Sequence, residues 1–448
     1  ELQCIADATG GAYADASDAD SLAKELNRAA PRTFNAYESD LEEIEGGESE
    51  SSAAKVDRQV EAFSTTLLPT EGEGHSAEST TFFTTPIAEG ERVVISANTT
   101  QTPSINNFRK GGSSHLGIDA AELSCELDTA TANDLGVNQY QTATLYSTPG
   151  GEDGCDSEEL AFTIERIRDW KQDEELGAEV TITRFGEPDM NGQPDPAEDK
   201  TEPDTVTASG DPTEVTPGTW FTDAAELTPQ QPVRAQIVPG ETHFYRIPVE
   251  HGQQLAGKVS MVEEADDFEN NGAGDSLVLA GYNEARAEID LEGSRASVIK
   301  DGTTNFSYPA PILFANRYGG SHNDGAGGLG IEKVWQSGEQ YIAVNYEQLL
   351  TDQEIDENTQ LPVLTYDLVA DAVGDPVPEP TFAPVKIETE KPSAPAEKED
   401  KDDTENRAQD NDDSSLFSSF PFLLVGLGLL VLFGLVIALV VVIRSLNR

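Results

Sequence analysis

Hard oxygen ligands cluster in one glycine-bearing segment of the chain, residues 266–275, which reads DDFENNGAGD. Ca²⁺ takes about six to eight oxygen ligands, and a flexible acidic loop can supply them. The spacing departs from the EF-hand pattern, and a chain with 83 Asp and Glu residues contains acidic loops by chance. We therefore interpret the segment as a solvated loop, with calcium as the alternative and no other cofactor expected. The side chains that would hold the ion are Asp266, Asp267, Glu269, Asn271 and Asp275.

A Gly-Asp-Ser-Leu block at 274–277 spells the motif of hydrolases that use its serine as the nucleophile. That chemistry needs an Asp-x-x-His pair near the C-terminus to supply the base, and none follows. We therefore interpret the block as a turn that leads into a strand at 276–280. The chain also has no G-x-S-x-G, H-E-x-x-H, P-loop or dinucleotide fingerprint, so we expect no enzyme.

The charge balance of the chain is strongly acidic. Only 28 Lys and Arg oppose the 83 acidic residues, which gives a net charge of −55 over 448 residues. A nucleic-acid surface needs clustered basic side chains, so that class of partner is excluded. The acids are spread over every segment, which favours solubility or tolerance of salt on a crowded envelope. The alternative is an electrostatic surface for basic partners or divalent ions.

One segment near the C-terminus is long and apolar enough to cross a membrane. Residues 422–443 carry no charge, and a helix of that length spans about 33 Å. Acidic residues precede it and basic residues follow, so the positive-inside rule places residues 444–448 in the cytoplasm. We predict a single plasma-membrane span at 417–443, with the bulk of the chain extracytoplasmic. Gly434 and Ala438 could form a helix-packing face, although ordinary transmembrane glycine usage is the simpler interpretation.

Polar stretches separate the other predicted parts of the chain. The stretch 377–416 is rich first in proline and then in charge, so it has little apolar surface to bury. We predict that it forms a disordered stalk. An acidic linker of the same character occupies 189–215, and a connector occupies 32–59.

An internal repeat relates two segments of the chain. Residues 80–90 read TTFFTTPIAEG, and residues 242–252 read THFYRIPVEHG. Phe82 matches Phe244, and the offset of 162 residues stays constant along both copies. Each copy is followed by a strand-like run of alternating apolar residues. The repeat therefore predicts two related β modules.

The fold class that follows is mainly β, with two tandem β-sandwich or jelly-roll-like modules at 60–188 and 216–376. Cys125 and Cys155 both fall in the first module. An extracytoplasmic location permits a disulfide between them, which would contribute about 3 kcal/mol by loop entropy. Two free surface thiols are the alternative. We expect the disulfide partner of Cys4 to lie upstream of Glu1.

The first residues of the chain resemble the end of a von Willebrand factor type A domain. Residues 1–31 contain IADATGGAY followed by a helical pattern. In that family an I-A-x-x-T-G-G-x-Y turn precedes the final helix. The cation-binding residues of the family would lie upstream of Glu1, so no metal ligand is carried over. We expect an α/β remnant of that domain at 1–31, on a processed product or a fragment, with an independent helical cap as the alternative.

Over most of its length the chain resembles membrane-anchored, von Willebrand factor A-containing surface proteins of high-GC Gram-positive bacteria. The resembling residues include 238–249 (VPGETHFYRIPV), 311–317 (PILFANR) and 341–344 (YIAV). The modules also look similar to the β-sandwich domains that trail secreted bacterial peptidases. The resemblance implies a non-enzymatic, single-pass cell-surface protein with a protein or envelope ligand, active in adhesion or envelope scaffolding. The alternatives are an envelope-associated hydrolase of unrecognised type and an accessory subunit of a membrane complex.

Overall fold

Strands dominate the described part of the chain. The computed structural model describes residues 39–72, 77–100, 115–120, 126–131, 140–151, 155, 158–167, 173–263, 276–297, 302–318, 330–347 and 363–385. The helical elements among these residues are short 3-10 turns at Glu50–Ser52, Phe314–Tyr318 and Ile331–Lys333. The mainly β fold class is therefore confirmed for the part of the chain that the structure describes.

The first module consists of two antiparallel-rich sheets that face each other. Its strands are β1 (Ala54–Lys55), β2 (Ala62–Leu67), β3 (Glu78–Pro86), β4 (Arg92–Thr100), β5 (His115–Ala120), β6 (Glu126–Thr131), β7 (Tyr140–Ser147), β8 (Glu159–Ile167) and β9 (Leu176–Phe185). One sheet has the order β1-β3-β8-β5 and the other the order β2-β9-β4-β7-β6. Both sheets contribute to one apolar core. At its centre the ring of Phe83 lies 5.5 Å from that of Phe63 and 5.3 Å from that of Phe162.

The second module repeats this plan. Its strands are β11 (Thr213–Glu214), β12 (Ala225–Glu226), β13 (Val233–Ile237), β14 (Thr242–Val249), β15 (Gln254–Glu263), β16 (Ser276–Tyr282), β17 (Glu288–Ile289), β18 (Arg295–Ser297), β19 (Thr303–Ser307), β20 (Gly338–Glu347) and β21 (Leu364–Val373). The sheet orders are β11-β13-β21-β15-β19 and β12-β14-β20-β16-β17, with β18 also paired to β16. Both sheets again contribute to one core.

The pairing of the strands bears out the sequence repeat. β3 and β14 carry the two copies, and each is flanked by a short parallel strand, β1 and β12 respectively. Phe82 forms an isolated antiparallel bridge with Gly47, and Phe244 forms the matching bridge with Gly218. The strand predicted to start within the Gly-Asp-Ser-Leu block is also confirmed, because β16 begins at Ser276.

Segments assigned above to the connector, the linker and the stalk contribute to the ordered structure. β1 lies within the connector and completes the first sheet. Val206 of the linker is buried against Ala256 and Val369 of the second module. Residues 377–385, at the start of the predicted stalk, form a strap that includes β22 (Thr381–Phe382), paired with β10 (Pro188–Asp189) between the modules.

The outer faces of the two modules pack against each other. In β9 the side chains of Ala178, Val180 and Ile182 face the core of the first module, so Glu179 must face outward. Glu179 is nevertheless fully buried, because the second module covers this face. Similarly, the ring of Tyr140 in β7 lies edge-on to Phe244 at 5.6 Å.

Other predicted segments lie outside the described residues. They are the remnant at 1–31, the stalk beyond residue 385 and the membrane span at 417–443. In the part of the chain that the structure describes, no helix has both the length and the apolarity needed to cross a membrane.

Candidate functional site

A tight turn between β16 and β17 carries two charged side chains to the junction of the modules. Asn283 holds the turn, since its Oδ1 accepts a hydrogen bond from the Ala287 N–H at 2.9 Å and its carbonyl accepts one from the Arg286 N–H at 2.8 Å. Arg286 adopts a left-handed conformation with a φ of 63°. Its neighbour Glu284 lies at the mouth of a cleft, while Arg286 itself enters the interface.

Arg286 forms a buried ion pair across the interface. Its Nη1 donates to Oε2 of Glu179 at 3.0 Å, and the two side chains are 7% and 0% exposed. The other carboxylate oxygen of Glu179 accepts from Ser39 Oγ at 2.8 Å and from Thr222 Oγ1. A carboxylate taken out of water must be fully paired in this way. The pair therefore fixes the second module in one position against the first.

The candidate functional site is a cleft between the modules, lined by Glu284 of the turn that also carries Arg286. It has a volume of about 560 Å³, within the range of pockets that hold small ligands or side chains. The first module supplies the end of β9 and the Arg58 region, and the second module supplies the turn with Glu284 and the segment around Trp335. The strap, residues 377–385, supplies the third wall with Glu379 and Phe382.

Arginine side chains on the first-module wall are committed to neighbours within the protein. Arg58 donates to both carboxylate oxygens of Glu91, one of them at 2.7 Å. Arg184 lies 3.9 Å from the same carboxylate and donates to the carbonyl of Pro86 at 2.7 Å and to Thr85 Oγ1. Burial lowers the pKa of Arg184, and the nearby Glu91 carboxylate opposes that effect. This wall therefore holds two cations with one anion between them.

His251 joins the strap to the second module. Its Nε2 lies 2.9 Å from the Phe314 N–H, which has to donate, so Nε2 is the unprotonated nitrogen. Nδ1 then carries the proton and donates to the carbonyl of Pro378 at 3.1 Å. Burial lowers the pKa of His251, which favours this neutral form. Both ring nitrogens are occupied, so His251 positions the strap and offers no base to the cleft.

Two carboxylates lie on the opposite wall. Glu284 approaches the backbone of Gly338, where an added Cβ would lie 2.4 Å from its Oε2 and where φ is 108°. The absence of a side chain at Gly338 therefore leaves the space that the Glu284 carboxylate occupies. Partial burial raises the pKa of Glu284, and the carboxylates of Glu379, Glu339 and Glu61 raise it further. Glu379 itself accepts a hydrogen bond from Ser337 Oγ.

Aromatic rings form the floor and the rim of the cleft. The ring centre of Phe314 lies 5.2 Å from that of Trp335 and 5.4 Å from that of Phe382. The ring centre of Phe185 lies 5.3 Å from that of Trp335. Trp335 and Phe314 are buried, whereas Phe382 is 41% exposed. Phe382 and Leu68 are the exposed large apolar side chains of the described residues. The cleft thus combines an accessible aromatic surface with polar groups at its edges, an arrangement suited to binding.

The residues predicted from sequence are not among the described residues that line the cleft. Cys155 is buried and disulfide-bonded, but Cys125 is outside the described residues, so their pairing remains a prediction. The calcium candidates Asp266, Asp267, Glu269, Asn271 and Asp275 are also outside the described residues, as are Gly434 and Ala438. Among the described residues no group of three or more His, Cys, Asp or Glu side chains is arranged to hold a metal ion.

Sequence reasoning missed the residues of the cleft. Two signals were present. Trp335 is one of only three tryptophans in an acidic chain, and Phe382 is an isolated aromatic residue in the proline-rich segment DPVPEPTFAP. An aromatic residue has no apolar neighbours to pack with in such a segment, so it indicates docking onto another surface.

Comparison with known proteins gives no family. No protein-family model and no curated protein matches the chain. Among solved structures it is similar to the ectodomain of ANX2 from Arabidopsis thaliana, at 11% identity over 68% of this chain and 88% of that one, with a TM-score of 0.17. It is also similar to the CUB1-EGF-CUB2 domains of rat MASP-1, at 8% identity over 70% and 99%, with a TM-score of 0.14. TM-scores this low carry no argument about fold or function.

Proposed function

We propose that this chain is a non-enzymatic, single-pass protein of the cell surface that acts in adhesion or in scaffolding of the envelope. In this proposal two β-sandwich modules stand outside the plasma membrane on an acidic stalk, anchored by the helix at 417–443. The cleft between the modules is the ligand-binding site. The observation that carries the proposal is the accessible aromatic surface of Phe382 in a cleft that three separate parts of the chain build together.

The arrangement of the cleft supports binding in preference to hydrolysis. A hydrolase needs a base within reach of a nucleophile. Among the described lining residues the hydroxyl of Ser337 contacts the carboxylate of Glu379, but no imidazole is free to take the serine proton, because His251 uses both ring nitrogens for the strap and for Phe314. Glu91 is held by Arg58. The ion pair between Glu179 and Arg286 keeps the walls in a fixed relation, which reduces the ordering cost of binding.

The experiment uses the organism that makes the protein, with its own copy deleted and replaced by wild-type or variant full-length chains. We expect the wild type to restore attachment of cells to envelope material and Phe382→Ser to fail. Leu68→Ser is the matched control, since Leu68 is similarly exposed at 36% but does not line the cleft. Labelling of intact cells with a membrane-impermeant lysine reagent verifies that each variant reaches the surface.

Three results would contradict the proposal. The first is normal attachment of the deletion strain, and the second is an equal loss in the Phe382 and Leu68 variants. The third is hydrolysis of ester, peptide or glycoside substrates by the purified wild-type chain that Phe382→Ser abolishes. That last result would favour the envelope hydrolase instead.

A further inference from the structure

The walls of the cleft differ in charge. On the first-module wall Arg58 and Arg184 lie around the Glu91 carboxylate and also donate to Thr85 and the Pro86 carbonyl, while Nε of Arg184 has no hydrogen-bond partner among the described residues. That wall therefore carries a net positive charge, which favours binding of a cationic ligand group at the opposite wall.

The opposite wall carries the carboxylates of Glu284 and Glu379, and no Lys, Arg or His among the described residues forms an ion pair with either of them. The charged neighbours that shift the pKa of Glu284 are all carboxylates, those of Glu379, Glu339 and Glu61. The Glu379 carboxylate accepts a hydrogen bond from the neutral hydroxyl of Ser337. Carboxylates held together in this way gain free energy when a cation comes between them.

The aromatic rim lies directly beside these carboxylates. Phe382 is in the same short strap as Glu379, and its ring lies 6.1 Å from that of Phe185. The faces of such rings attract cations, and their apolar area covers an aliphatic stem. The same aromatic cluster already binds one cationic side chain of the protein itself, since the guanidinium of Arg317 lies 4.6 Å from the ring centre of Trp335.

We propose that the cleft binds a lysine or arginine side chain of a partner protein, with its apolar stem against Phe382 and its charged head between Glu284 and Glu379. This inference rests on the proposed function and names the chemistry of its ligand. A volume of about 560 Å³ accommodates such a side chain together with the adjoining backbone. A net charge of −55 favours the approach of a basic segment over that of an acidic one.

The test is a calorimetric titration of the purified full-length chain, in detergent micelles, at about 0.15 M salt. The probe is a pentapeptide with one central lysine between glycines, and the matched ligand is the same peptide with the lysine acetylated. Acetylation keeps the stem and removes the charge. We expect the lysine peptide to bind and the acetylated peptide to bind at least tenfold more weakly.

Variants assign the site. Glu284→Gln and Phe382→Ala should each weaken binding of the lysine peptide about fivefold. That loss matches the free energy that one partly exposed ionic or cation–π contact contributes. Glu214→Gln is the matched control, because Glu214 is an exposed acid of β11 that does not line the cleft. The control should bind as the wild type does. An equal loss in Glu284→Gln and Glu214→Gln would reduce the effect to general attraction by an acidic chain and overturn the assignment.

Two further outcomes separate this inference from the proposed function. If both peptides bind equally, the cleft binds a neutral chain and the cationic ligand is wrong, while the adhesion proposal stands. If pentylammonium binds as tightly as the lysine peptide, the cleft recognises free amines and the protein partner is wrong. Loss of attachment in the Phe382→Ser strain without any peptide binding would leave the cleft as the adhesive site and reject lysine and arginine as its ligand.

Discussion

Removing the positive charge of Arg286 should loosen the contact between the two modules. Arg286→Met keeps the apolar stem of the side chain but leaves the buried Glu179 carboxylate with the hydroxyl donors of Ser39 and Thr222 and no cation. Two unit charges about 4 Å apart attract by about 4 kcal/mol at an effective dielectric constant of about 20. Removing one partner of a fully buried pair costs about 3–5 kcal/mol, so we expect a loss of that size in the free energy of unfolding.

The assay is urea unfolding of the full-length chain, followed by tryptophan fluorescence and by far-ultraviolet circular dichroism. In a Trp170→Phe background the remaining tryptophans, Trp220 and Trp335, are both buried and adjoin the inter-module aromatic residues Phe221 and Phe314, so fluorescence reports the interface while dichroism reports the strands. In Arg286→Met the fluorescence transition should move to lower urea ahead of the dichroism transition. The double variant Glu179→Gln/Arg286→Met should recover most of the loss, because it leaves no buried charge.

Lys55→Met is the matched control for this experiment. Lys55 forms an ion pair with Glu159 within the first module, and both side chains are exposed, at 73% and 44%, so its removal should cost about 1 kcal/mol or less. If Arg286→Met lowers stability no more than this control does, and the two probes still coincide, the interface does not depend on the buried pair and the reasoning is refuted.

Three further predictions follow from the packing and the strap. Phe83→Ala should lower the free energy of unfolding by about 3–5 kcal/mol in chemical denaturation, because its ring fills the centre of the first core; a loss below about 1 kcal/mol would contradict that packing. Gly186→Ala, just after β9, should expose the strap to proteolysis, since the added Cβ would lie 2.3 Å from the Ala383 carbonyl oxygen, whereas the Cβ added by Gly177→Ala, near the start of β9, meets no atom within 4 Å and should not. Burial holds the pKa of His251 below its ordinary value, so the unfolded chain takes up its proton first and stability falls as the pH is lowered through the ordinary histidine range. His251→Gln should flatten the pH dependence of the urea midpoint between about pH 7.5 and 5.5, and an unchanged dependence would assign it to other groups.

Much of the strand pattern could be predicted from the sequence. The repeat identified β3 and β14 as equivalent strands, and the structure gives each the same parallel and antiparallel neighbours. The alternation of apolar residues in a strand is a local property with a period of two, so it survives in the sequence. It identifies which face of each strand turns toward the core of its own module.

The limits of the ordered parts were harder to predict. β1 is two residues long in a polar, acidic segment, and the strap is short and proline-rich, so composition alone assigned them to a connector and a stalk. Each is held by pairing with a strand that is distant in sequence, β3 and β10 respectively. Such pairing depends on which edge of a sheet is open, and the local sequence carries no record of that.

The β class, the duplication of the module and the excess of negative charge could be predicted from the sequence, because each depends on local periodicity or on composition. The burial of the outer face of β9, and the pairing of Glu179 there with Arg286, depend on how the modules pack. The cleft also depends on that packing, since it brings Arg58 together with Phe382 from opposite ends of the described chain. What covers an outward face depends on how a second module docks, and a strand's own alternation gives the same outward pattern whether that face meets water or protein.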